Sequence, residues 1–225
     1  MLQYFLAILT TMGVLVSASL SGQVPQGFVR VDTFIPSLVI EAKYHTAHNF
    51  TGHPVPGYDT GHLYLSREAA MALKDVQLEL REMGLSLKIF DAYRPQMAVD
   101  YFEQWANRPE DSLTKEEYYP TIPKNSLFAR GYIANPSGHS RGSAVDVTLV
   151  SLETGKEMDM GTSFDFFSPL SAPGSQGVTP AVRANRQLLS RVMEKHGFTP
   201  ISSEWWHFYL KGEPYPHTYF NFRVR

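Results

Sequence analysis

Two histidines and two carboxylates stand in two short motifs that could build a metal site. His139 lies in a Gly/Ser-rich loop, and Asp146 follows it inside the apolar run from Ala144 to Val150, whose length favours a strand. A carboxylate inside a buried strand is costly unless a cation compensates it. Imidazole nitrogen and carboxylate oxygen together suit Zn²⁺, so this pair predicts two ligands of one ion. A capping aspartate and a surface histidine are the alternative for the pair taken alone.

The second motif is Glu204-Trp205-Trp206-His207, near the C-terminus. A catalytic zinc takes three protein ligands and keeps one position open for water, and a nearby carboxylate can accept a proton from that water. His139, Asp146 and His207 are therefore the candidate ligands of one zinc ion per chain, and Glu204 is the candidate base. On a straight strand Glu204 and His207 would face opposite ways, so we expect a bend at the strand entrance. A core histidine beside a solvated glutamate is the alternative.

A third motif, Asp91-Ala92-Tyr93-Arg94-Pro95, follows the strand-like apolar run Leu85–Phe90. Arg94 therefore stands at a strand end, where side chains often reach into a cleft. A guanidinium held there can stabilise an oxyanion or bind a carboxylate through two hydrogen bonds. An arginine in a surface salt bridge is the alternative.

These motifs together resemble a known family. The pattern S-x-H-x-x-G-x-A-x-D, followed by E-W-W-H and preceded by Y-R-P, is similar to that of the zinc D-alanyl-D-alanine peptidases. The nearest branch is the D-Ala-D-Ala dipeptidases known from vancomycin-resistance gene clusters. Shorter matches occur in the dipeptidase order from about residue 35 to residue 225, among them Asn49-Phe50-Thr51-Gly52, Phe164-Asp165-Phe166 and Glu213-Pro214-Tyr215-Pro216.

The resemblance implies a role for each matching residue. It makes His139, Asp146 and His207 the zinc ligands, Glu204 the general base and Arg94 the group that stabilises the tetrahedral intermediate. It implies that metal-activated water hydrolyses D-alanyl-D-alanine to two D-alanine molecules. Three further positions match those that hold the small zwitterionic substrate, with Asp165 as the expected partner of its ammonium group: Tyr44, Ser137 and Asp165.

Two other functions stay open at this point. A zinc D,D-carboxypeptidase of the same family would remove a terminal D-alanine from longer peptidoglycan peptides. A non-catalytic binding module stabilised by zinc would need neither Glu204 nor Arg94, so their presence favours an enzyme.

The expected fold is α+β, with a small, mainly antiparallel sheet that carries the zinc site and helices packed against it, as in the D,D-peptidase and hedgehog-like fold. Ser66 and Gly84, and Thr179 and Gly197, are the expected boundaries of two helices. A third helix is expected from Pro95 to about Asn107, with Met97, Tyr101 and Trp105 on its core side. We also expect a last strand over Thr218–Val224 and solvated side chains at Arg183, Arg186 and Arg191.

Composition narrows the possible partners. The 225 residues carry 20 basic and 22 acidic side chains, a balance that indicates no nucleic-acid partner. The chain has no cysteine, so any metal must be held by nitrogen and oxygen. We expect a small dipeptide as the ligand and predict no oligomeric state.

The N-terminus predicts export. Leu2 to Val16 is apolar and small residues follow, which is typical of a signal peptide over residues 1–21, although no Lys or Arg precedes the apolar stretch. An uncleaved anchor and an ordinary N-terminal element are the alternatives. We expect one dipeptidase domain over residues 22–225, a location outside the cytoplasm, and no stable membrane insertion after cleavage. If the leader is not used, the protein is expected to be cytoplasmic.

Overall fold

A five-stranded sheet organises the protein. The computed structural model describes residues 23–225. The strands lie in the order β2-β4-β5-β7-β6; β2 is parallel to β4, and the other neighbours are antiparallel. A separate antiparallel pair joins β1 and β3. This arrangement confirms the expected α+β class. The elements are β1 Phe28–Arg30, α1 Val31–Phe34, β2 Val39–Ile40, β3 Tyr64–Ser66, α2 Arg67–Glu82, β4 Leu85–Asp91, α3 Gln96–Ala106, α4 Lys115–Tyr118, β5 Ala144–Ser151, α5 Pro180–Lys195, β6 Phe198–Pro200 and β7 His207–Leu210.

The register of the three central strands places polar residues side by side. Asp91 at the end of β4 lies opposite Asp146 on β5, and Asp146 lies opposite His207, the first residue of β7. Each of these strands is otherwise rich in apolar residues, and β5 is buried along nearly its whole length. The sheet therefore gathers a row of titratable side chains at one end of a hydrophobic core.

Helices α2 and α5 pack against the sheet and against each other. The side chain of Ser66 accepts a hydrogen bond from the amide of Ala69 at the start of α2. Thr179 does the same for Val182 at the start of α5, where Pro180 occupies the first turn. Both caps satisfy backbone donors that a helix N-terminus leaves free, and they confirm the two expected starts.

Helix α3 turns a different face to the core from the one expected. It begins at Gln96, with Pro95 as its N-cap. Trp105 is fully buried as predicted, but Phe102 takes the central place expected for Tyr101, and Met97 and Tyr101 are only half-buried. Both sets of residues recur at helical spacing, so periodicity could not choose between them.

The expected last strand, Thr218–Val224, is wrong. These residues form an irregular strap that crosses several elements, with a single isolated bridge between Val224 and Tyr58. The amide of Phe220 donates to the carbonyl of Ser140, and the hydroxyl of Tyr93 donates to the carbonyl of Phe222. Among residues 23–225, no single neighbour runs beside the strap for long enough to form a ladder. The strap instead ties the loop of His139 to the turn that precedes Arg94.

Arg186 on α5 is buried, which corrects the expectation of a solvated side chain; Arg191 is exposed as expected. The Arg186 guanidinium donates to three backbone carbonyls, those of Met160, Leu170 and Ala172, at 2.6–2.9 Å. Irregular backbone needs partners of this kind when it is buried. Arg186 therefore fastens both ends of the segment that carries Asp165.

The predicted signal peptide lies outside the described residues, so export stays a prediction. Within residues 23–225, no helix combines the length and the apolar character that crossing a membrane would need.

Replacing Arg186 with Met should lower the free energy of unfolding by about 2–4 kcal/mol, because the buried Met160 carbonyl and the two part-buried carbonyls of Leu170 and Ala172 lose their donor. Urea titration of the purified protein measures this. The matched change Arg191→Met, on the exposed side of the same helix, should alter stability by less than about 0.5 kcal/mol. Equal effects of the two changes would contradict the structural role of Arg186.

Candidate metal centre and active site

Three donor atoms converge at the end of the sheet. His139 lies on a short 3₁₀ turn, Gly138–Arg141, Asp146 on β5, and His207 at the start of β7. His139 Nε2 is 3.0 Å from His207 Nδ1 and 3.3 Å from Asp146 Oδ2, and His207 Nδ1 is 3.0 Å from Asp146 Oδ1. The structure thus brings together the three predicted ligands, which form a group able to hold a metal ion.

Gly142 makes the tight return from the 3₁₀ turn into β5 possible. Its φ is 80°, in the left-handed region that glycine enters at little cost. A Cβ atom here would lie 2.3 Å from the Phe28 ring. His139 and Asp146 can therefore face each other only because position 142 has no side chain.

The donor set fits zinc. Ligand atoms about 2.0–2.1 Å from a tetrahedral zinc lie about 3.3 Å from one another, close to the separations observed. His139 Nδ1 lies 2.6 Å from the carbonyl of Ala92, an acceptor, so Nδ1 carries the proton and Nε2 is left free to bind the metal. Two imidazole nitrogens and one carboxylate oxygen are the ligand types of catalytic zinc sites.

The electrostatics of the ligands also suit a cation. Burial alone would raise the pKa of Asp146, but His139 and His207 lower it below the usual range. Burial lowers the pKa of His207, although Asp146 partly opposes this. An ionised carboxylate and a neutral imidazole are the protonation states that bind a metal.

Glu204 lies beside the ligands with no hydrogen-bond partner for its carboxylate among residues 23–225. A turn at Trp205 and Trp206 precedes β7, so Glu204 and His207 line the same cavity, as the expected bend requires. Trp205 holds this turn through its amide, which donates to the carbonyl of Ser171. Burial raises the pKa of Glu204 well above its ordinary value, and Asp146 and Asp165 raise it further.

Arg94 is held on several sides. Its Nε and Nη2 lie 2.9 and 2.8 Å from Asp91 Oδ2, and Nη2 lies 3.6 Å from Asp146 Oδ2. The guanidinium carbon is 5.0 Å from the centre of the Tyr44 ring and 5.3 Å from that of Phe102. These contacts hold the guanidinium in one place and offset the rotamer entropy that a long side chain loses when it is ordered.

Asp165 is a buried carboxylate at the opposite wall. It accepts a hydrogen bond of 2.9 Å from the Tyr44 hydroxyl and has a φ of 59°, unusual for a residue with a side chain. Burial raises its pKa well above the ordinary value, and Asp146 adds to this. A cation beside Asp165 would relieve both effects. Ser137 stands at the start of the 3₁₀ turn, where its Oγ accepts from the amide of His139.

One cavity of about 210 Å³, partly open to solvent, joins these side chains. Its size suits a short ligand, because pockets for drug-sized molecules are about 300–1,000 Å³. The remaining walls include Phe50, Tyr132, Ile133 and Phe167. All eight predicted site residues line this cavity: Tyr44, Arg94, Ser137, His139, Asp146, Asp165, Glu204 and His207.

Two buried residues next to the site escaped the sequence analysis. Asp91 was part of the Arg94 motif but received no role, and Tyr58 received none. The Tyr58 hydroxyl donates to Asp91 Oδ1 at 2.7 Å. A carboxylate at the end of an apolar strand, three residues from an arginine, was the available signal for Asp91. For Tyr58 there was no local signal, since 33 residues separate it from its partner.

Comparison with known proteins gives the family. A family model of the M15 peptidases, described as D-Ala-D-Ala dipeptidase, matches residues 25–225. The chain belongs to this family. Membership confirms the resemblance that the motifs predict, and it makes the protein a metallopeptidase.

Three relatives of this M15 peptidase are each named D-alanyl-D-alanine dipeptidase. The Enterococcus faecalis protein is 44% identical over 198 residues, and the Enterococcus faecium protein is 42% identical over 199. The Streptomyces coelicolor protein is 42% identical over 197 residues. Each alignment covers 88% of this chain and 98% of the relative.

Changing His139 to Ala should weaken zinc binding by more than the roughly 10–100-fold that changes outside the ligand shell cost. The reason is the loss of one of three donor atoms. Competition with a chromophoric chelator measures the dissociation constant, and His62→Ala is the control because His62 lies on the surface. Unchanged zinc affinity in the His139 variant would contradict the ligand assignment.

Proposed function

We propose that this chain hydrolyses the dipeptide D-alanyl-D-alanine to two molecules of D-alanine, with one zinc ion per chain held by His139, Asp146 and His207. The observation that carries the proposal is the small cavity where this donor set lies together with Glu204, Arg94 and Asp165. The names of the relatives support the choice of substrate.

Charge balance supports a cationic ligand as well as a metal. Four carboxylates are buried in or beside the cavity: Asp91, Asp146, Asp165 and Glu204. Arg94 is a buried guanidinium 2.8 Å from Asp91 and 3.6 Å from Asp146. With neutral imidazoles this leaves three formal negative charges, which is costly in a buried site. A divalent zinc and one substrate ammonium supply three positive charges. The substrate carboxylate adds one negative charge with either peptide. A zwitterionic dipeptide, which has no net charge, therefore suits this cavity better than an anionic N-acylated peptide.

Asp165 and Tyr44 form the proposed ammonium site. Asp165 is nearly buried and is held in place by the Tyr44 hydroxyl, so it can meet a free amino group but leaves little room for a longer N-terminal extension. Ser137 adds a hydroxyl to the polar wall. These features favour a dipeptide over the longer substrates of a D,D-carboxypeptidase.

The chain's own residues carry the proton and charge steps. Zinc, when bound, supplies Lewis-acid polarisation of the peptide carbonyl and lowers the pKa of water at the site. Glu204 accepts a proton from the attacking water as the new C–O bond forms. Arg94 stabilises the negative charge that develops on the carbonyl oxygen. Glu204 then returns the proton to the leaving nitrogen as the C–N bond breaks, so one water yields two D-alanines.

The raised pKa of Glu204 fits this role. A general base works best when its pKa lies closer to the operating pH than that of an ordinary carboxylate. Burial and the two neighbouring aspartates shift Glu204 in that direction.

The purified protein should release D-alanine from D-Ala-D-Ala, and a chelator should abolish the release until Zn²⁺ is added back. N-acetyl-D-Ala-D-Ala should be cleaved at least about 100-fold more slowly in kcat/KM, because its amide offers no charge to Asp165. A D-amino-acid oxidase assay measures the D-alanine released from each substrate. Preferential cleavage of the acylated peptide would assign the protein to the carboxypeptidases. Zinc binding without turnover of either peptide would favour the non-catalytic module.

Changing Glu204 to Gln should lower kcat by about 10²–10⁴-fold, because the amide cannot accept the proton from water. Zinc content should stay near one per chain, since Glu204 is not a proposed ligand. Steady-state kinetics and metal analysis of the same preparation give both values. A variant that keeps most of its activity would remove Glu204 from the mechanism.

A further inference from the structure

Asp91 is buried at the site but does not line the cavity. It therefore cannot touch the substrate from where it lies. Both of its oxygens are nevertheless engaged: Oδ2 binds Arg94, and Oδ1 accepts from Tyr58. A buried carboxylate that cannot touch the substrate can affect the reaction only through another residue. The contacts of Asp91 leave two candidates, Arg94 and the proposed zinc ligand His139.

The distances favour Arg94. Asp91 Oδ2 lies 2.8 and 2.9 Å from two guanidinium nitrogens of Arg94, within hydrogen-bond range. The same oxygen lies 3.6 Å from His139 Nδ1, beyond that range. That nitrogen already has an acceptor, the carbonyl of Ala92, at 2.6 Å. In many zinc sites a carboxylate orients the ligand histidine. Here the Ala92 carbonyl takes that place, so Asp91 is available to orient Arg94.

The strand register shows what Asp91 prevents. Asp91 and Asp146 lie opposite each other on β4 and β5, and Arg94 Nη2 reaches both, at 2.8 and 3.6 Å. Asp146 is therefore the next anion available to the guanidinium. An Arg94 released by Asp91 would move towards this proposed zinc ligand and away from the place where charge develops on the substrate.

Tyr58 holds the second oxygen of Asp91. Its buried ring packs near Tyr44, with ring centres 5.6 Å apart, and its hydroxyl holds the Asp91 oxygen that Arg94 does not use. The carboxylate is thus fixed at both ends. Electrostatic stabilisation depends on such preorganisation, because a group that must reorient during the reaction loses much of its effect.

We infer that Asp91, held by Tyr58, is a positioning residue that keeps Arg94 directed at the substrate and off Asp146. The inference rests on the proposed function, since it assigns Arg94 its partner in that reaction. It predicts an effect on the rate of the chemical step rather than on substrate binding or on zinc.

A double-mutant cycle tests the inference with Asp91→Asn, Arg94→Met and the two changes combined. Asp91→Asn should lower kcat for D-Ala-D-Ala by about 10–100-fold, less than the roughly 10²–10³-fold expected for losing a charge-stabilising donor outright. KM should change less than about threefold, and zinc affinity should not change. In the Arg94→Met background, Asp91→Asn should cost no more than about twofold, because it acts only through the missing side chain.

Two further variants make the cycle decisive. Tyr58→Phe removes one hydrogen bond from Asp91 without leaving a buried charge, so it should fold even if Asp91→Asn does not. It should lower kcat by about 2–10-fold, and this loss should also vanish in the Arg94→Met background. Asp75→Asn, an exposed aspartate on α2, is the matched control and should leave kcat unchanged.

The outcomes separate the inference from the proposed function. Equal losses from Asp91→Asn with and without Arg94 would overturn the inference alone, and so would a loss of zinc affinity, which would place Asp91 behind His139 instead. Equal losses of kcat from Tyr58→Phe with and without Arg94 would also overturn the inference alone. If Arg94→Met left kcat unchanged, the proposed role of Arg94 would itself be wrong.

Discussion

Negative charge concentrated in a buried space is the constraint on which the rest of this structure depends. Asp91, Asp146, Asp165 and Glu204 all lose most of their solvent at one end of the sheet. Burial raises the pKa of Asp91, Asp165 and Glu204, while Asp146 stays ionised because two histidines face it. Arg94 offsets one charge. A dication would offset two of the others, and a substrate ammonium could pair with the last, while the substrate carboxylate would bring one further negative charge. The same constraint therefore links the proposed metal to the proposed preference for a free ammonium group.

In this fold, strands and loops supply different residues of the site. Three adjacent strands supply Asp91, Asp146 and His207 in register, which sets their spacing through backbone hydrogen bonds. Loops supply the groups that must approach from other directions, such as His139, and each loop is fastened by a distant residue. Arg186 holds the segment of Asp165, and the C-terminal strap holds the turn of His139. The active site therefore depends on contacts far from it along the chain.

Local physics made much of this predictable. Ser66 and Thr179 signal helix starts because few residues cap helices well, and the apolar run around Asp146 signals β5 because a buried strand tolerates little else. The three candidate zinc ligands and Glu204 stood out through residue type and spacing, and the roles proposed for Tyr44, Ser137 and Asp165 came from resemblance to the family. The structure places all of them around one cavity, while their roles stay predictions.

The features that were missed depend on partners distant in sequence. Arg186 looks like any charged residue on a helix until the backbone of Met160 and Leu170 is brought against it. On α3, two stripes share one period, and the packing of Phe102 against Tyr44 and Phe50 distinguishes them. The C-terminal strap alternates like a strand, but within the described part of the chain no partner pairs with it along its length.

The most direct test is a crystal structure of the zinc-loaded protein with a phosphinate analogue of D-Ala-D-Ala, whose tetrahedral phosphorus resembles the reacting carbon. The account predicts zinc bound by His139, Asp146 and His207, with the ammonium group of the analogue against Asp165 and a phosphinate oxygen facing Arg94. Zinc held by other residues, or an analogue whose ammonium points away from Asp165, would contradict it.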